Sequence, residues 1–139
     1  MLGSIEGRCE VRRMDFNDPS NSLKAGQGNF SFKSHRDSIN AYPVNAISFN
    51  PIRGTLLTCG GDGDTYIWDK DSKFKVRSFP NSKTIAKNKT YPSTGNLPVV
   101  NCDFNREGNT IAVGFGYDWS RGYAGYENFK NEIHVHMPA

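Results

Sequence analysis

Four aspartates, Asp62, Asp64, Asp69 and Asp71, stand close enough together to suggest a site for a hard divalent cation. Their setting argues against it. Asp62 and Asp64 lie in Gly60-Gly61-Asp62-Gly63-Asp64, a run in which aspartate serves a tight turn by bonding its own backbone. The spacing also lacks the terminal Glu that completes a calcium loop. A glycine-rich run can instead cradle phosphate, but only where it opens a helix, and this one leads into the strand-forming Thr65-Tyr66-Ile67-Trp68. His134 and His136, two apart on a strand, share a face and could bind zinc, yet no third ligand accompanies them. No Ser or Cys carries the local signature of an activated nucleophile. These residues predict neither catalysis nor a metal centre, and no cofactor.

Composition narrows the class further. The chain has 139 residues, 36% hydrophobic and 22% charged, with Gly 14, Pro 7, Phe 9 and Tyr 6. Such a mixture suits many short aromatic strands joined by turns, an all-β protein. No apolar run approaches the 18 or so residues of a membrane helix. Met1 to Arg8 lack the build of a secretory signal, so a soluble, intracellular protein is expected. The odd count of three distant cysteines (Cys9, Cys59, Cys102) reads as buried free thiols. Without a secretory signal, the sequon Asn88-Lys89-Thr90 reads as chance. A net charge of +3 is too small to name a partner. Its distribution says more: Lys70, Lys73, Lys75, Arg77, Lys83, Lys87 and Lys89 face only Asp69 and Asp71, a field suited either to phosphates or to a solvated loop.

An internal repeat supplies the elements that position these residues. With Pro43 onward laid above Pro98 onward, Pro43/Pro98, Val44/Val99, Phe49/Phe104, Asn50/Asn105, Thr55/Thr110 and Gly61/Gly116 coincide. Each copy reads as a strand, a polar turn rich in Asn and Gly, and a second strand. The first copy continues through the Gly60–Asp64 turn into a third strand, Thr65 to Asp69, and a fourth, Lys73 to Phe79. Four antiparallel strands in a meander make one propeller blade. An earlier partial copy aligns Gly3-Ser4-Ile5-Glu6-Gly7 with that turn. It is followed by a strand from Arg8 to Asp15, a loop over 17–28 and a strand from Asn29 to Ser34. In the last copy, Asp118 to Asn131 interrupts the pattern before a final strand, Glu132 to Met137.

The chain therefore divides into the end of one blade (1–36), a complete blade (37–80) and a last, closing blade with insertions (81–139). That is two and a half to three four-stranded blades. Rings close at about four to eight, so the missing blades leave open edges and apolar faces through which the fragment is expected to self-associate.

Residues 60 to 69 resemble the ending of a WD repeat, with Trp68-Asp69 as the name-giving pair. In such repeats a turn Asp accepts from a loop His, which pairs with a strand hydroxyl and an indole N–H. His35, Thr58, Asp62 and Trp68 match that buried tetrad, whereas Val113 replaces the hydroxyl in the last copy. The match narrows further. Leu2 to Arg8, Asn29-Phe30-Ser31-Phe32-Lys33-Ser34-His35-Arg36 and Tyr42 to Phe49 resemble two sister families. One comprises the WD-repeat mRNA export factors of the nuclear pore, the other the mitotic-checkpoint WD-repeat proteins that partner checkpoint kinases. Trp68-Asp69-Lys70-Asp71 and Tyr117-Asp118-Trp119-Ser120-Arg121-Gly122 favour the export family.

This resemblance implies a seven-bladed propeller that docks on a nucleoporin peptide motif and helps carry messenger ribonucleoprotein between nucleus and cytoplasm. It implies in addition an RNA-binding groove that maps onto Phe32, Lys33, Trp68, Asp69, Lys70, Lys73 and Lys75. Aromatic rings flanked by lysines combine base stacking with phosphate neutralisation. The alternative is a checkpoint scaffold that binds kinases and no RNA. Neither reading involves an enzyme or a membrane partner.

Overall fold

The computed structural model describes residues 1–12, 29–79, 97–126 and 131–137. Among the described residues ten strands run in order: β1 (Leu2–Gly3), β2 (Arg8–Val11), β3 (Phe30–Lys33), β4 (Val44–Phe49), β5 (Thr55–Gly60), β6 (Thr65–Asp69), β7 (Lys75–Phe79), β8 (Val99–Phe104), β9 (Ile111–Phe115) and β10 (Glu132–His136). They form three antiparallel sheets, ordered β1-β2-β3, β4-β5-β6-β7 and β10-β9-β8. Among the described residues the sole helical element is one 3-10 turn, Tyr123–Gly125. This is a partial β-propeller, with one complete four-stranded blade flanked by two three-stranded ones.

The sequence repeat recurs bond by bond. Asn50 N–H donates to Thr55 O at 2.8 Å and Asn105 N–H to Thr110 O at 2.9 Å, closing equivalent hairpins. Gly61 N–H donates to Pro43 O, and Gly116 N–H to Pro98 O, both at 3.0 Å. Even the register slips match, falling between Val44 and Ala46 in one copy and between Val99 and Asn101 in the other.

Strand ends differ from the sequence reading where turn chemistry intervenes. The strand expected over Lys73 to Phe79 begins at Lys75. Lys73 itself stands at φ 62, and its N–H closes a turn onto Asp69 O at 2.9 Å. Of the strand expected from Arg8 to Asp15, Arg8–Val11 forms β2 and residues 13–15 lie outside the described residues, while the strand begun at Glu132 ends at His136. Lys83, Lys87, Lys89, the sequon at Asn88 and the 17–28 loop lie outside the described residues.

The core fills the boundary between the central and final sheets. Leu57, Cys59, Ile67 and Phe79 meet Leu97, Val99, Cys102, Ile111, Val113 and Phe115. Alternation along β5 sends Leu57 and Cys59 to this side and Leu56 and Thr58 to the other. Both faces are covered, which is why β5 is buried from Leu56 to Gly60. Polar ties from β4 and its turn reinforce the boundary: Asn45 Nδ2 donates to Val99 O at 2.8 Å, Ser48 Oγ to Asp103 Oδ1 at 2.6 Å and Asn50 Nδ2 to Gly108 O at 2.8 Å. Gly108 stands at φ 64, and a Cβ there would come within 2.4 Å of Asn50 Oδ1. On the far face of the last sheet Ile133 and Val135 are exposed.

All three cysteines are free and buried. Burial pushes the Cys9 thiol up to about 11. A hydrogen bond with Cys59, together with burial, raises Cys102 well above the ordinary thiol range. Because the thiolate is the reactive form, iodoacetamide at neutral pH is expected to leave all three unmodified in the native chain and to label all three in denaturant. Intact mass reads the outcome, and labelling at matched native and denatured rates would contradict this packing.

Candidate functional site

Alternation along two strands builds an aromatic wall between the first and central sheets. On β6, Tyr66 and Trp68 point toward the first sheet while Thr65 and Ile67 point away. On β3, Phe30 and Phe32 are half-buried, whereas Ser31 and Lys33 are exposed on the opposite face. Phe32 meets Trp68 with ring centroids 4.6 Å apart, and Tyr66 meets Trp68 edge-on at 5.9 Å.

Beneath this wall lies a polar network. Trp68 Nε1 donates to Thr58 Oγ1 at 2.9 Å, which stands 3.1 Å from His35 Nε2. His35 Nδ1 lies 2.8 Å from Asp62 Oδ1 and 3.0 Å from Oδ2. Ser34 Oγ adds a further bond to Thr58 Oγ1 at 2.9 Å. Donor rules give these bonds a direction. The indole only donates and the carboxylate only accepts. With a neutral imidazole, His35 carries its proton on Nδ1, Thr58 donates to Nε2, and Ser34 donates to the remaining lone pair of Thr58. Every group is satisfied, as a buried network requires.

The carboxylate–imidazole–hydroxyl order has the logic of an acid–base relay. Here, however, Thr58 and His35 are both fully buried. A Cβ on Gly60 would fall 2.6 Å from the His35 ring, so the imidazole is packed in place. The arrangement suits holding a blade together, since no reactant reaches the hydroxyl.

The groove residues named from sequence separate into two groups. Phe32, Trp68, Lys73 and Lys75 converge on the aromatic wall. Lys73 Nζ lies over the Phe30 ring at 5.0 Å, and Lys75 Nζ over the Tyr66 ring at 4.2 Å. Trp68 is only 8% exposed, with its indole nitrogen spent on Thr58, so it supports the wall from within and offers no open face for a base. The others stand apart. The pleat places Lys33 on the face opposite Phe32. Lys70 pairs with Asp71 at 2.7 Å and lies near Gly54, at the hairpin end of the blade. Asp69 is spent on its own turn, where the Asp71 N–H and the Ser72 hydroxyl hold its carboxyl below the usual range.

Sequence reasoning did not single out Ser34, Phe30 or Tyr66. Phe30 and Tyr66 had a legible signal, because each sits two residues from an expected wall residue and so shares its face. Ser34 had none, because its partner Thr58 is remote in sequence. Tyr66 donates its hydroxyl to Asp64 Oδ2 at 2.7 Å, and burial raises the phenol far above its usual range.

No family model matches the chain. It is 38% identical to an mRNA export factor, GLE2, of Chaetomium thermophilum over 97% of its own length and 34% of that protein. It is 35% identical to Protein RAE1 of Arabidopsis thaliana over 99% of its length and 34% of that protein. Against a poly(A)+ RNA export protein of Schizosaccharomyces pombe the identity is 37%, over 97% and 34%. The chain spans about a third of the length of these curated relatives. Along nearly all of its own length, it is similar to about a third of the length of proteins named for mRNA or poly(A)+ RNA export.

Proposed function

We propose that the protein is a non-enzymatic WD-repeat adaptor in nuclear mRNA export. In this reading it binds RNA along the wall between the first and central sheets and engages a nucleoporin peptide motif elsewhere on the propeller. It works at the nuclear envelope and shuttles to the cytoplasm. The observation that carries the reading is the similarity to proteins named for mRNA or poly(A)+ RNA export, sustained from one end of the chain to the other. The wall adds a physical reason, since Lys73 and Lys75 stand over half-buried rings where a single strand could lay its phosphates. His35, Thr58, Asp62 and Trp68 act in this scheme as the structural tetrad beneath the binding surface. In this reading the blades divide at 1–36, 37–80 and 81–139, and the fragment alone self-associates through the exposed Ile133–Val135 face.

The test is a pull-down from nuclear extract with the tagged full-length protein, reading bound protein and RNA together. Recovery of a nucleoporin with polyadenylated RNA is the expected result. Recovery of checkpoint kinases without RNA would replace this reading with that of a checkpoint scaffold.

A further inference from the structure

Two lysines on this surface do not hang free in solvent. Lys75 Nζ sits 4.2 Å from the centroid of Tyr66, a ring on the same sheet. Lys73 Nζ sits 5.0 Å from the centroid of Phe30, which belongs to the neighbouring sheet, so this contact crosses the blade boundary. Lys73 also stands at φ 62, in the left-handed region that favours glycine. A lysine kept where glycine would be less strained calls for a reason in its side chain. Each ring is itself held. Tyr66 is fixed by its bond to Asp64 at 2.7 Å and by the His35 ring at 5.0 Å. Phe30 packs near Phe32 at 5.9 Å.

We propose that Phe30 and Tyr66 are positioning residues that hold the Lys73 and Lys75 ammonium groups in place as preset phosphate contacts. This rests on the RNA-binding reading above and names residues that it did not include. An ammonium attracted to a ring face keeps N–H donors directed outward. A long lysine already confined in this way loses less rotamer freedom when a phosphate arrives. The same attraction explains how a strained turn at Lys73 is tolerated, because its side chain is anchored on the adjacent blade.

The test measures binding of a fluorescent single-stranded oligouridine to the full-length protein across a salt series. Each phosphate contact on a single strand contributes about 0.7 to the slope of log affinity against log salt. Lys75→Gln and Lys73→Gln are each expected to lower the slope by about that amount. Tyr66→Leu should reproduce the Lys75→Gln slope and Phe30→Leu the Lys73→Gln slope, while Tyr66→Phe, which keeps the ring, should retain the wild-type slope. Lys73→Gly should weaken binding while leaving the melting temperature equal or higher. Were Tyr66→Leu and Phe30→Leu to lower only the melting temperature, with slope and affinity unchanged, the rings would be packing residues and the proposal overturned. Absence of salt-dependent binding by the wild type would defeat the RNA reading itself, and the ring assignment with it.

Discussion

His35→Ala is expected to cost about 3 to 5 kcal/mol of folding stability, the range for emptying a ring-sized core site and stripping buried hydrogen bonds. The imidazole is fully buried and bonds both Asp62 and Thr58. Its loss leaves a void and removes the imidazole bond from the Asp62 carboxylate, whose side chain is only 14% exposed. Thr58→Val is expected to cost less, about 2 kcal/mol. It keeps the volume but leaves the indole N–H, the Ser34 hydroxyl and His35 Nε2 without their shared partner. Trp68→Phe, which retains an aromatic filler, should cost least of the three. Urea titrations followed by circular dichroism give the order. If His35→Ala fell within the half kcal/mol typical of surface changes, the network would have no structural weight.

The second large effect concerns charge. Reversal of Lys73 and Lys75 together is expected to weaken binding of single-stranded RNA about tenfold or more at moderate salt. The salt slope should drop by about 1.4 for two lost phosphate contacts. Lys70→Glu should leave both almost unchanged. From sequence the three lysines form one basic run, but Lys70 is paired with Asp71 and lies at the hairpin end of the blade, away from the rings. Filter binding at several salt concentrations separates the cases. Equal losses for Lys70→Glu and the double reversal would mean that a diffuse field attracts the RNA and that the wall has no special part.

How much of this was legible beforehand depends on the range of each interaction. The hairpins were, because Asn50 and Asn105 open turns whose closing bonds span only a few residues. The strand Thr65–Asp69 was equally plain from its β-branched and aromatic run between turns. The tetrad emerged through its resemblance to a known repeat, since nothing local in Ser34-His35-Arg36 points to Asp62. Alternation revealed which residues share a face but not which sheet covers that face. Lys33 entered the groove beside Phe32 through the resemblance alone, although the pleat turns it to the opposite face, and Phe30 was passed over. The ties from Asn45, Ser48 and Asn50 were beyond reach, because each joins residues more than fifty positions apart.

Those three ties bear on how the molecule breathes. They all leave the first strand of the complete blade, or the turn that follows it, and land on the last blade, where they join a continuous apolar core. The first blade is tied differently, through the Ser34–Thr58 and His35–Asp62 bonds, the Phe32–Trp68 ring contact and a bond from Val44 N–H to Ser4 O at 3.0 Å. In a repeat array, stability is the sum of each unit's own free energy and its coupling to its neighbour. The central and last blades accordingly share one apolar core, whereas the first is coupled to them through a polar network and ring contacts. Amide hydrogen exchange should follow that division: β5 and β9 protected to a common, global limit, and β2 and β3 exchanging earlier by partial opening. The surface that holds Phe30 against Lys73 lies on the seam between the two, so a ligand bridging it would raise the protection of the first blade to that of the rest.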